Sequence, residues 1–80
     1  LPDAQYVLAV WTEQGYNGTP DLQRAVELYT QAADTGHQNA IKSLINIYHG
    51  GFDQFPSNIQ KEQFWRNKLE LDQKKNNVLP

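Results

Sequence analysis

Apolar residues recur at the 3.6-residue period of an α-helix in four stretches of the chain, and turn residues separate these stretches. The alternation of apolar and polar residues that marks a half-buried β-strand is absent. The pattern therefore predicts an all-α protein. Its four helices are predicted at about residues 3–14, 20–35, 39–49 and 58–74.

Capping residues support several of these helix ends. Thr19 is the predicted N-cap of the second helix, with Pro20 in the first helical position, where a missing N–H is harmless. Gly36 follows that helix as a C′ residue, in the left-handed conformation that glycine adopts readily. Ser57 and Gln60 have the spacing of a capping box at the start of the fourth helix.

Each predicted helix has an apolar face that we expect to be buried. In the first helix this face consists of Ala4, Leu8 and Trp11, and the opposite face is left to solvent. The other predicted core positions are Leu22, Ala25, Leu28 with Tyr29, and Ala32 in the second helix, Ala40, Ile41, Leu44, Ile45, Ile47 and Tyr48 in the third, and Ile59, Trp65 and Leu69 in the fourth.

The chain also contains an internal repeat. A shift of 36 residues superimposes the first predicted helix and its loop on the third, and after one inserted residue a shift of 37 superimposes the second helix on the fourth. Agreement over a whole pair of helices indicates two copies of one unit. The matched pairs are Ala4 with Ala40, Leu8 with Leu44, Trp11 with Ile47, Gly15 with Gly51, Tyr16 with Phe52, Pro20 with Pro56, Leu22 with Ile59, Arg24 with Lys61, Leu28 with Trp65 and Ala32 with Leu69.

A distinctive set of residues marks the second helix of the first unit: Asp21, Arg24–Ala25, Leu28–Tyr29, Ala32–Ala33 and a closing Gly36. With this set, the unit resembles the Sel-one-like repeat (SLR), a helical repeat related to the tetratricopeptide repeat. The family has paired alanines before the closing glycine, and a small residue at the start of its first helix. Both features are present here.

The resemblance implies an α-solenoid of two antiparallel helical hairpins. The repeats would occupy residues 4–36 and 40–72 within a single domain at 1–75, followed by a flexible tail at 76–80. The second unit departs from the family pattern, because Glu62 replaces the first unit's Ala25 and Leu69–Glu70 replaces its paired alanines. A terminal repeat has no following neighbour, so the fourth helix is predicted to be a capping helix.

The resemblance also implies a function without chemistry. In related arrays the first helix of each hairpin lines a concave face where protein ligands lie, so we expect a protein-binding or scaffolding module. Two alternatives remain. The exposed stripe opposite the buried face of each first helix could be only a solvated surface, or the chain could be the structural capping end of a longer array with no ligand of its own. The predicted partner-binding residues are Tyr6, Val10, Glu13, Gln14, Asn39, Lys42, Asn46 and His49.

Charge and hydropathy limit the classes of partner that the chain could bind. The net charge of −2 with interspersed signs argues against nucleic acid, and no apolar stretch approaches the ~20 residues that span a bilayer. We expect another protein or peptide as partner. Self-association through Val26 and Tyr29, or adjoining repeats, would cover the ends of so short a stack. No targeting signal is visible, and the resemblance favours the bacterial periplasm or cytoplasm.

We expect neither enzymatic activity nor a cofactor, because no nucleophile elbow, phosphate-binding loop or paired carboxylate motif occurs. A metal site would need His37 and His49 to converge with a carboxylate such as Asp34 or Asp53. Three aromatic loop residues are also of interest. Tyr16 and Phe52 are predicted to close their hairpins, and Phe55 is predicted to be an exposed contact.

Overall fold

The computed structural model describes residues 2–15, 18–50 and 55–77, which form four α-helices and no strand. The all-α prediction is confirmed, and most helix ends fall within two residues of their predicted positions. The fourth helix continues three residues further than predicted, and residues 78–80 of the predicted tail lie outside the described residues. The helices are α1 (Pro2–Gln14), α2 (Leu22–Asp34), α3 (Gln38–Gly50) and α4 (Ile59–Asn77).

Each helix packs mainly against its neighbours in the sequence, α1 on α2, α2 on α3 and α3 on α4. The side-chain amide of Gln5, near the start of α1, donates to Gln31, near the end of α2, at 3.1 Å. At the other end of the pair, the Asp21 N–H donates to the Thr12 carbonyl at 3.0 Å. Opposite ends therefore meet, and α1 and α2 run antiparallel.

The same backbone contact occurs between α3 and α4. The Asn58 N–H donates to the Tyr48 carbonyl at 2.9 Å, as Asp21 donates to Thr12 at 3.0 Å. Tyr48 lies 36 residues after Thr12, and Asn58 lies 37 residues after Asp21. The two shifts found in the sequence therefore also relate a pair of hydrogen bonds in the structure.

The N-caps of α2 and α4 differ from the prediction. The Asp21 carboxylate caps α2 by accepting the backbone N–H three residues on at 3.0 Å, and the Asn58 side chain caps α4 in the same way at 3.1 Å. The predicted caps Thr19 and Ser57 lie before these residues. Aspartate and asparagine cap at least as well as threonine and serine, and a carboxylate also interacts favourably with the helix dipole.

The end of α2 agrees with the prediction. Gly36 has a φ of 93°, and its N–H donates to the Ala33 carbonyl at 2.9 Å. The N–H of His37 reaches back to the Ala32 carbonyl at 3.2 Å. These two bonds form a Schellman motif, which reverses the chain between α2 and α3.

The core lies around α2 and α3. All the core positions predicted for α3 are buried, as are Ala25, Leu28 and Ala32 of α2, while Leu22 is half-buried. Val26 and Tyr29, predicted as edge contacts for self-association, are also buried, because α2 packs against helices on two sides. In α4 Trp65 is buried as predicted and Leu69 is half-buried, but Ile59 is 71% exposed.

The predicted buried face of α1 is wrong. Ala4, Leu8 and Trp11 are exposed, and Ala9 is fully buried against α2. The reason is that, among the described helices, α1 packs mainly against α2 alone, whereas α3 packs against both α2 and α4. A helix with one neighbour buries one face, and α2 packs on the face whose small Ala9 allows close approach.

Substitution of Ala32 tests the close packing of α2. Ala32 has no exposed surface, so Ala32→Leu should force its neighbours apart and lower the free energy of unfolding by ~1–3 kcal/mol. Urea unfolding followed by circular dichroism measures the change. The matched control is Ala4→Leu on exposed α1, which should change stability by no more than ~0.5 kcal/mol. Equal effects of the two variants would show that α2 is not closely packed at Ala32.

Candidate interaction surface

The eight predicted partner-binding residues divide into two groups in the structure. Tyr6, Val10 and Glu13 are half-buried, and Tyr6 and Val10 pack against the core. The remaining five are exposed. On α3 they form a polar stripe along one helix, whereas the α1 members share their face with core contacts. The exposed residues are Gln14, Asn39, Lys42, Asn46 and His49.

Tyr6 lies at the junction between α1 and the start of α3. Its ring stacks on the His37 imidazole with 4.8 Å between centroids. His37 Nε2 lies 2.8 Å from Asp3 Oδ1, and His37 Nδ1 accepts the Ala40 N–H at 3.2 Å. An accepting Nδ1 leaves the proton on Nε2, which can donate to the Asp3 carboxylate. His37 therefore caps α3 and ties it to α1, and Tyr6 covers this contact.

Tyr29 connects three helices through its hydroxyl group. The hydroxyl donates to the Glu13 carboxylate of α1 at 2.6 Å. Burial raises the pKa of Tyr29 above its ordinary value, the bond to Glu13 raises it further, and a hydrogen bond involving Ser43 of α3 acts in the opposite direction. Glu13 is thus held by α2, and Tyr29 lies between α1 and α3.

A second polar contact joins α3 to α4. Glu62 Oε2 accepts the Arg66 Nε–H at 2.8 Å and lies 3.0 Å from His49 Nδ1. The Glu62 side chain is only 10% exposed. The hydrogen bond from Arg66 lowers the pKa of Glu62, burial opposes this shift, and His49 lowers the pKa further. The structure therefore gives His49 a carboxylate partner in addition to its position near a helix C-terminus.

The largest change from the predicted surface is a row of apolar side chains on α1, which we call the α1 apolar row. It consists of Ala4, Val7, Leu8 and Trp11, at positions i, i+3, i+4 and i+7 of one helix face. Val7 is 43%, Leu8 45% and Trp11 48% exposed. Sequence reasoning placed three of these residues in the core. The small Ala9 was the signal for the true packing face, because a small side chain allows helices to approach closely.

A groove lies above Tyr48, between α2 and α4. Phe55 closes one side of it, with its ring 5.5 Å from that of Tyr48. The groove has a volume of about 430 Å³, and Val26, Thr30 and Lys61 also contribute to its lining. Phe55 was predicted as an exposed contact, but it is half-buried and packs on the core. The other two aromatic loop residues, Tyr16 and Phe52, lie outside the described residues.

Within residues 2–15, 18–50 and 55–77, no group of three histidine, cysteine, aspartate or glutamate side chains is placed to hold a metal ion. His37 and His49 instead contact different carboxylates, those of Asp3 and Glu62. Asp53, a predicted metal-site candidate, lies outside the described residues. The two histidines therefore act as links between helices in this part of the chain.

Comparison of the chain with protein-family models, with curated proteins and with solved structures finds no match. Among the described residues, none of the helices combines the length and the apolar character needed to cross a membrane.

The depressed pKa of Glu62 predicts a pH-dependent stability. A carboxyl whose pKa is lower in the folded state stabilises the fold above its unfolded pKa, ~4.3 for glutamate, and this contribution disappears as pH falls through the lower folded pKa. Glu62→Gln should therefore lower the free energy of unfolding at pH 7, and the difference from the wild type should shrink below about pH 4.

Denaturant unfolding at a series of pH values between 7 and 2 makes this comparison. The control is Glu70→Gln, because Glu70 lies on the same helix and is exposed. A constant gap between wild type and Glu62→Gln over the whole pH range would contradict the assignment of the shift to Glu62.

Proposed function

We propose that this chain is a non-catalytic helical-repeat module that binds another protein. The observation that carries the proposal is the α1 apolar row, in which three large apolar side chains on one helix face are each between 43% and 48% exposed. Scattered apolar residues are normal on protein surfaces, whereas contiguous ones mark interaction sites. A tryptophan in such a row adds the side chain most enriched among binding hot spots.

The proposal includes a stacked arrangement of two helical hairpins, as in a Sel-one-like α-solenoid. Two facts support it. Helices pack in chain order, and the hydrogen bond between Asp21 and Thr12 recurs between Asn58 and Tyr48 at the shifts of the sequence repeat. Repeat proteins are built from units that contact only their neighbours, which agrees with this packing order.

The polar stripe on α3 remains a second proposed contact surface. Asn39, Lys42 and Asn46 are exposed side by side along the helix, and amide groups can bond to a peptide backbone. Tyr6 is a weaker candidate for an aromatic anchor, because its ring already stacks on His37. We therefore place the main contact on the α1 apolar row and a polar contribution on α3.

One observation favours the alternative role as the structural end of a longer array. Four residues of α2 that are buried or half-buried correspond, at the 37-residue shift, to four exposed polar residues of α4. A terminal helix needs such a polar outer face to stay in solution. The pairs are Val26 with Gln63, Tyr29 with Arg66, Thr30 with Asn67 and Ala33 with Glu70.

Selection from a displayed peptide library tests the proposed function with the whole chain as bait. We expect the wild type to enrich peptides, and Leu8→Asp to weaken their binding by roughly tenfold or more, because a charge would have to be buried at the contact. Leu8 is 45% exposed, so the variant should retain its helical circular dichroism.

Lys42→Asp is the matched control on the polar stripe of α3. It should reduce binding less than Leu8→Asp does. If no peptide is enriched, the chain does not act as a peptide-binding module. If Lys42→Asp abolishes binding and Leu8→Asp does not, the contact lies on α3 and our placement of it on α1 is wrong.

A further inference from the structure

The α1 apolar row has a counterpart in α3 that is already covered. At the 36-residue shift, Ala4, Val7, Leu8 and Trp11 correspond to Ala40, Ser43, Leu44 and Ile47. In α3 the three apolar members of this set are between 0% and 3% exposed. The Ser43 side chain acts on the hydroxyl of Tyr29, so this face of α3 lies toward α2.

The other face of α1, which packs on α2, also has an equivalent in α3. Gln5, Ala9 and Thr12 of α1 correspond to the α3 residues Ile41, Ile45 and Tyr48. Of these, Ile45 lies beside α4, and the Tyr48 carbonyl accepts from Asn58, the N-cap of α4. In α1 these positions contact α2: Gln5 bonds to Gln31, Ala9 is fully buried, and the Thr12 carbonyl accepts from Asp21. In both units, therefore, the first helix packs the equivalent face against the helix that follows it. Among the described residues, only the second unit has a helix packed on the other face.

The helix that covers α3 does so with a defined set of side chains. Val26, Tyr29, Thr30 and Ala33 of α2 have the spacing i, i+3, i+4 and i+7. Tyr29 is the member in contact with Ser43, and Val26 and Thr30 lie beside Tyr48 in the groove. Apart from Tyr29 these are small or β-branched residues, and small residues allow helix axes to approach closely.

A second copy of the chain offers no such set at its α4 end. The corresponding α4 positions carry Gln63, Arg66, Asn67 and Glu70, all exposed. Placing them on the α1 apolar row would bury two charged and two amide side chains against apolar ones, which is unfavourable. The set on α2 is already occupied by α3. Head-to-tail association of identical chains through these four positions is therefore disfavoured.

We infer that the α1 apolar row receives an amphipathic helix with the chemistry of α2, carrying small or β-branched residues and one tyrosine at i, i+3, i+4 and i+7, from another helical unit. This inference rests on the proposed function of the row as a contact surface. It specifies the occupant, which the proposed function leaves open. This helix would pack on α1 in the way that α2 packs on α3.

A tandem chain tests the inference. Residues 1–36 are added in front of the complete 80-residue chain, so that the added Gly36 precedes Leu1 and the added α2 falls 36 residues before its natural equivalent. This register places the added α2 next to the α1 apolar row. The urea midpoint of the tandem chain should lie above that of the original chain, with one cooperative transition, because neighbouring repeats stabilise each other.

Leu8→Asp in the 80-residue part isolates the contact. In the original chain Leu8 is 45% exposed, and the variant should shift the urea midpoint only slightly. In the tandem chain the same substitution should remove most of the midpoint gain, since the aspartate would lie under the added helix. Lys42→Asp in the 80-residue part is the control, and its effect should be the same in both chains.

Two results would overturn the inference. One is an added unit that unfolds in its own transition, with equal effects of Leu8→Asp in both chains. The other is sedimentation of the original chain as a dimer that Leu8→Asp dissociates, which would make a second copy the occupant. If displayed peptides bind through Leu8 while the tandem chain does not stack, the proposed function stands and this inference fails. If the tandem chain stacks but no peptide is enriched, the result supports an α2-like helix as the occupant of the α1 apolar row. It does not support the binding of a separate protein.

Discussion

The fold depends on one helix lying close to two others. Ala25, Ala32 and Ala33 of α2 are fully buried, and their small side chains allow α1 and α3 to approach this helix from two sides. Tyr29 fills the remaining space and joins the three helices, since its hydroxyl bonds to Glu13 of α1 and lies near Ser43 of α3. The Schellman motif at Gly36 then places α3 directly after α2.

This arrangement makes the two ends of the stack unlike each other. The outer face of α1 carries the α1 apolar row, whereas the four matching positions of α4 are polar, although Ile59, Phe64 and Leu71 of α4 are also exposed. An apolar face in water is unfavourable in proportion to its exposed area, and a polar one is not. The two units therefore differ at these positions, because α1 has large apolar side chains where α4 has polar ones.

Much of the fold could be predicted from the sequence, because α2 and α3 each have neighbours on two sides. Almost every apolar residue of these helices is buried, so a periodic pattern leads to the right core. The existence of α4 and the burial of Trp65 followed from the same pattern. The helix caps were placed one or two residues too early, because several residues before α2 and α4 are all good caps and the pattern does not rank them.

The candidate surface could not be predicted in the same way. Helix α1 has two faces that could be buried, one with Leu8 and Trp11 and one with Ala9, and periodicity favours the larger side chains. Packing instead follows backbone approach, which the smaller Ala9 allows. Burial of the face with Leu8 and Trp11 would require a helix that packs on it, and no described helix does so. A sequence pattern shows that a face is apolar, but it does not show whether another helix covers that face. The sequence pattern also did not predict contacts between residues that are distant in the chain, such as Tyr6 with His37.

Helix α1 packs through Ala9 and leaves Trp11 half exposed to solvent. Fluorotryptophan labelling gives one fluorine NMR signal for each of the two tryptophans, and the solvent isotope shift between H₂O and D₂O reports the exposure of each ring. Trp11 is 48% and Trp65 5% exposed, so the Trp11 signal should shift and the Trp65 signal should not. Two signals that are both insensitive to the solvent would mean that α1 buries Trp11, and would contradict the account.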